Sequence, residues 1–141
     1  MTFAPEKFAN LSKVLARDGN YDTDSRARTC YGRAYYALFL AVRTEIWRAE
    51  GRPIHGRGDE VEHGALTDVL FSSDNPKHKA LGRALEDLYT ARKKADYVLE
   101  PSEPWNKRIH KAEKAREFAK RAQSLIRQLD NIDFTDLTGQ L

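Results

Sequence analysis

The run Ala34-Tyr35-Tyr36-Ala37-Leu38-Phe39-Leu40-Ala41-Val42 contains no charge, no glycine and no proline, and it lies in the middle of a longer stretch with helical spacing. An α-helix turns once every 3.6 residues, so an uninterrupted apolar run of this length covers the whole circumference. A helix apolar on every side has to be enclosed by other helices or by another chain. The remaining segments of the chain are the first candidates to surround it.

That central helix is expected over Asp22 to Glu50, with Asp22, Thr23 and Asp24 as cap candidates and Gly51, then Pro53, as its stop. A shorter helix over Ala4 to Ala16 carries Phe8, Leu11, Val14 and Leu15 at helical spacing and ends before Gly19 and Asn20. A third is expected over Glu60 to Phe71, followed by the turn Ser72-Ser73-Asp74-Asn75 with Pro76 opening a fourth. The fourth, Pro76 to Val98, places Leu81, Leu85, Leu88, Ala91, Ala95 and Val98 on one face. The fifth, Trp105 to Asp130, turns Trp105, Ile109, Ala112, Ala119, Ala122, Ile126 and Leu129 inward and its many lysines and arginines outward. The loop Gly51 to Gly58, rich in glycine, reads as a mobile element, and residues 131–141 read as a frayed tail.

No segment alternates with the two-residue period of a strand, so the expected fold is all-α, an antiparallel up-and-down bundle of about five helices. With 141 residues and no repeat or linker, one domain over 1–141 with a core at about 4–130 is the economical division. A hydrophobic fraction of 40% beside 32% charged residues belongs to a packed chain and excludes a disordered one. No run approaches the roughly 18 apolar residues of a membrane span, and Met1 to Asn10 lacks a secretory signal pattern, so a cytoplasmic protein is expected. The single cysteine, Cys30, excludes an internal disulfide and fits the core as a small hydrophobe. A net charge of +3 permits nucleic acid as a partner without demanding it.

Arg33 interrupts the apolar segment, where an unpaired cation would be costly. Asp96, inside Arg92-Lys93-Lys94-Ala95-Asp96-Tyr97 of the fourth helix, is the expected counter-charge, and an Arg33–Asp96 pair would fix helix register or orient a site.

Arg33-Ala34-Tyr35-Tyr36-Ala37-Leu38-Phe39, then His63-Gly64, then Leu88-Tyr89 leading to Arg92 and Ala95-Asp96-Tyr97, together resemble the HEPN family over roughly Asp24 to Leu129. The resemblance implies a helical bundle that pairs as a two-fold homodimer, in toxin–antitoxin and other defence systems or beside a nucleotidyltransferase. Many nuclease members carry an arginine followed four to six residues later by a histidine, and cleave RNA without metal. The division of labour is chemically reasonable: arginine stabilises the phosphate while histidine moves the proton of the 2′-hydroxyl. Here Arg92 stands in the arginine's place, but Asp96 and Tyr97 stand where the histidine would be.

The candidate catalytic set is accordingly Arg92 for phosphate, His63 or Tyr97 for the proton, and Asp96 with Arg33 for orientation. Arg26, Arg33, Tyr36 and Lys93 are the candidate RNA contacts, with Tyr36 or Tyr97 able to stack on an unpaired base. A noncatalytic reading stands beside it: an interaction or regulatory module for a cognate antitoxin or nucleotidyltransferase, in which the same motif packs helices and His63 caps or packs. In a third reading Tyr97 is a target for modification by a partner enzyme. His55, His63, His78 and His110 have no metal-ligand spacing, so neither a metal nor another cofactor is expected. The pairs Arg48/His55 and Arg57/His63 fall at the loop after the second helix and are read as chance.

Overall fold

The computed structural model describes residues 5–15, 23–51, 63–97 and 108–141, with the side chains of 15, 23–27, 95–97 and 108–112 excepted. Within them lie five α-helices: α1 Glu6–Leu15, α2 Thr23–Glu50, α3 His63–Phe71, α4 Pro76–Tyr97 and α5 Arg108–Gln128, followed by 3₁₀ turns at Leu129–Asn131 and Thr135–Leu137. The chain is an all-α helical bundle, with no strand among the described residues. No helix in the described part is long and apolar enough to cross a membrane.

Local chemistry sets the helix ends. At Gly51 the backbone enters the left-handed region (φ 72°) while its N–H donates to Arg48 O, a termination that suits a residue without Cβ. Asn75 Oδ1 accepts the Lys77 N–H at 2.9 Å, capping α4 with Pro76 as its first residue.

At 28 residues, or about 42 Å, α2 is the axis of the bundle, and α1, α4 and α5 pack around it. Ser12 Oγ donates to Cys30 O, and Cys30 Sγ lies 3.3 Å from Ala115 O, so α1, α2 and α5 meet at one level. At the far end the Gly139 N–H donates to Glu50 Oε1, which makes α5 run in the direction of α2 while α1 and α4 run against it. Helix α3 runs in the direction of α2 as well, since its first residue, His63, meets Glu86 and its last, Phe71, lies against Gly82, and the like-directed α2 and α5 are pressed together. Ala34, Ala37 and Ala41 on α2 and Ala115, Ala119 and Ala122 on α5, all buried, are small enough to allow that approach.

Within the apolar run of α2 only Tyr36 is exposed, on the same stripe of the helix as Thr29 and Arg33 before it. Two expectations need correction. On α1 the buried face is Ala9 and Ser12, whereas Leu11 and Val14 are 44% and 56% exposed; the small residues are the ones that fit close against α2 and α5. Residues 131–141 are not frayed. Phe134 and Leu137 are buried, the Phe134 ring stacks on His78 at 5.3 Å, and His78 Nε2–H donates to Asp133 O at 2.7 Å. His78 accepts on Nδ1 from Ser73 Oγ–H at 2.7 Å, so a fully buried imidazole joins the start of α4 to the C-terminal turns. The glycine-rich loop Gly51 to Gly58 lies, after Gly51, outside the described residues.

Candidate functional site

The polar side chains converge where α2, the start of α3 and the middle of α4 meet. His63 is the first residue of α3 and its side chain is 11% exposed. Its Nε2 lies 3.1 Å from Glu86 Oε1 and its Nδ1 lies 2.9 Å from the Tyr35 hydroxyl. An ionised carboxylate only accepts, so in the neutral ring Nε2–H donates to Glu86 and Nδ1 accepts from Tyr35 O–H. Burial pushes the His63 pKa below its ordinary value; the Glu86 hydrogen bond and charge act against this, and the charges of Lys93 and Arg92 add to it. Burial also pushes the Tyr35 phenol above its usual range, opposed by Arg92 and reinforced by Tyr89, Tyr36 and Glu86. Both shifts favour the neutral, hydrogen-bonded pair.

Rings and cations complete the cluster. The His63 imidazole stacks on Tyr89 with centroids 3.8 Å apart and planes 16° apart, and Tyr35 lies 5.4 Å from Tyr89 and 5.5 Å from Tyr36. The Arg92 guanidinium carbon sits 4.7 Å from the Tyr36 centroid and 5.4 Å from that of Tyr35, while Lys93 Nζ sits 4.7 Å from that of Tyr89. Contacts of this kind contribute about 0.5–1 kcal/mol each at exposed sites. A guanidinium can lie over an aromatic ring and still offer N–H donors from its edge, and that fork suits phosphate oxygens. Tyr36 is 40% exposed, so a ring face or edge is open beside that cation.

Among the residues singled out in the sequence, His63, Arg92, Lys93 and Tyr36 come together around Tyr35. Arg33 does not join them. It is exposed on α2, with its guanidinium carbon 5.3 Å from the Phe8 centroid, so the buried cation that demanded a carboxylate does not exist. Asp96 and Tyr97 belong to the last turn of α4 and Arg26 to the first turn of α2, but all three side chains lie outside the described residues, as does the Arg33–Asp96 pair. Among the described residues nothing lies within 4 Å of a Cβ added at Gly64, whereas a Cβ at Gly82 would lie 3.0 Å from Phe71 Cε1, a close approach of α3 to α4.

Sequence reasoning missed Tyr35 and Glu86 as polar members and assigned no role to Tyr89. The signal was present on α4, where Glu86, Tyr89 and Arg92–Lys93 recur at three- and four-residue spacing and so share one face. Among the described residues no three His, Cys, Asp or Glu side chains gather as a metal would require. An open groove of ≈ 540 Å³ between α1 and α5, lined by Glu6, Lys7, Leu11, Val14, Gln123 and Arg127, involves none of the cluster. Comparison with protein-family models, with curated proteins and with solved structures finds no match for this chain.

Proposed function

We propose that this chain is a HEPN-type component of a toxin–antitoxin or other defence system that binds RNA on the α2/α4 face, with Arg92 and Lys93 receiving phosphates and Tyr36 stacking on a base. The observation that carries this reading is the Arg92 guanidinium lying against Tyr36, a cation and an aromatic surface held side by side at the edge of the bundle. Phosphate contacts supply most sequence-independent affinity for nucleic acid, and base–aromatic stacking adds about 1–3 kcal/mol per base. A homodimer would bring two such faces together. Arg26, Arg33, Asp96 and Tyr97 remain candidates at its margins in this reading.

Binding is favoured over cleavage because both His63 nitrogens are engaged inside the protein. A metal-independent endoribonuclease would need one of them at a 2′-hydroxyl, with Nε2 leaving Glu86, whose side chain is 45% exposed. A second reading, a noncatalytic module that docks an antitoxin, a nucleotidyltransferase or another protein, is favoured by the outward-facing Leu11 and Val14 of α1.

The test incubates the protein with transfer RNA and single-stranded RNA in EDTA, beside Arg92→Ala, with thermal melts of both. Loss of RNA binding without loss of melting temperature supports the binding reading. RNA cut by the wild type and left intact by Arg92→Ala establishes the nuclease instead. An RNA affinity absent from the wild type sinks both and directs attention to a protein partner.

A further inference from the structure

His63 touches both aromatic platforms on which the two cations rest. Its Nδ1 takes the hydroxyl of Tyr35, the ring beside Arg92, and its own ring covers Tyr89, the ring beside Lys93. Glu86 holds the imidazole from the other side at Nε2 and thereby selects the tautomer in which Nδ1 accepts. Long cationic side chains lose much rotamer freedom on binding, so a site that has already fixed them binds more tightly than one that has not. Arg92 and Lys93 leave from the α4 backbone, whereas the Tyr35 ring comes from α2 and the imidazole from α3. The Arg92 contact therefore depends on α2 and α4 held in register, while Lys93 lies against Tyr89 of its own helix, and His63 ties α3 to both rings.

We infer that His63 is a positioning residue: the Glu86–His63–Tyr35 chain fixes the Tyr35 and Tyr89 rings and through them holds Arg92 and Lys93 in a phosphate-receiving arrangement. The inference rests on the RNA-binding reading. It assigns Glu86 and Tyr35 to function without contact with the ligand, and it removes His63 from the proton-transfer role.

The experiment measures affinity for a short unstructured RNA as a function of salt, at pH 8, where the His63 imidazole is neutral. For single strands the slope of log affinity against log salt is about −0.7 for each phosphate neutralised, so it counts the cations in place. His63→Phe keeps a ring on Tyr89 and removes both hydrogen bonds; Tyr35→Phe keeps the ring beside Arg92 and removes only the hydroxyl. Neither changes the charge at this pH. Both are expected to flatten the slope by about 0.7 to 1.4, the count for one or two cations released. Glu86→Ala should flatten it too, while Glu86→Gln, equal in charge but retaining an acceptor oxygen, should restore the wild-type slope.

Melting curves confirm that each variant is folded at the assay temperature, and Tyr35→Phe, the mildest change, carries the test if His63→Phe does not fold. Variants that melt lower yet keep the wild-type slope would make the chain a structural bond only and overturn the inference. So would Glu86→Gln behaving as Glu86→Ala. An unchanged slope in Arg92→Ala sinks the RNA-binding reading itself; a flattened slope there, with His63→Phe and Tyr35→Phe unchanged, sinks only the positioning role.

Discussion

Tyr35→Phe removes one oxygen atom and leaves the ring, its packing and its charge as they were. The lost bond is the O–H donated to His63 Nδ1 at 2.9 Å, between a tyrosine that is 3% exposed and an imidazole side chain that is 11% exposed. Water has little access, so Nδ1 is left as a buried acceptor without a donor, a loss of about 1–3 kcal/mol. For a chain of this length that is a fall in melting temperature of about 3–5 °C per kcal/mol. In the wild type the His63 pKa is lowered, so between that value and the ordinary 6.5 the unfolded chain binds more protons, and stability falls as pH drops through this window. The Tyr35 hydroxyl can donate to Nδ1 of the neutral ring and accept from Nδ1–H of the charged one, so its loss leaves Nδ1 unmatched in either state. Tyr35→Phe should therefore be less stable than wild type at both pH 5 and pH 7.5 in urea denaturation. A variant as stable as wild type at both pH values would refute the proposed bond.

Phe134→Ala should destabilise the protein by about 3 kcal/mol or more, as removal of a buried phenyl ring does, and a chain ending at residue 131 should melt lower still; a melting temperature within a degree of wild type would mean that the C-terminal turns do not staple α4. Arg33→Ala should change stability by less than about 1 kcal/mol, the value of an exposed cation–π contact, in a thermal melt; a loss several times larger would restore a buried ion pair. Burial pushes the Cys30 thiol up to about 11, partly offset by its hydrogen bond with Ser12, so the unfolded chain releases this proton first and stability should decline as pH rises from 9 to 11. Cys30→Ala should flatten that alkaline limb in denaturant melts, and an unchanged limb would place its origin elsewhere.

The helices were legible because their ends are marked by residues with few alternatives: Gly51 in the left-handed region, and Pro76 behind an Asn75 cap. Which face each helix buries was legible for α4, where Leu81, Leu85 and Leu88 leave no choice, and not for α1. There hydrophobicity points to Leu11 and Val14, but the close approach to α2 admits only Ala9 and Ser12, a constraint set by distance between helices rather than by transfer from water. The C-terminal turns escaped notice because 3₁₀ segments of three residues are too short to show a period, so Phe134 and Leu137 read as isolated apolar residues. The cluster was half visible. Arg92, Lys93, Tyr36 and His63 stand out as residue types, but the hydrogen bonds joining Tyr35 to His63 and His63 to Glu86 span 28 and 23 residues, and only the packing of three helices brings them together.

The composition of this face argues for its use. A bundle selected for stability alone would fill the junction of α2, α3 and α4 with leucine, as α4 does at Leu81, Leu85 and Leu88, because apolar packing has no bonds to leave unmade. Here the junction instead holds a buried phenol, an almost buried imidazole and a carboxylate, stable only as a complete set, since each partner removed strands another. What such a set supplies and leucines do not is a fixed pair of aromatic rings with cations lying against them at the surface. Helix α3, only nine residues long, is too short to be stable by itself and takes its position from contacts with its neighbours, chiefly α4. Under the proposed reading its first residue is therefore the point at which helix packing is converted into the placement of Arg92 and Lys93, so a change in how α3 seats on α4 should register in RNA affinity before it registers in the fold.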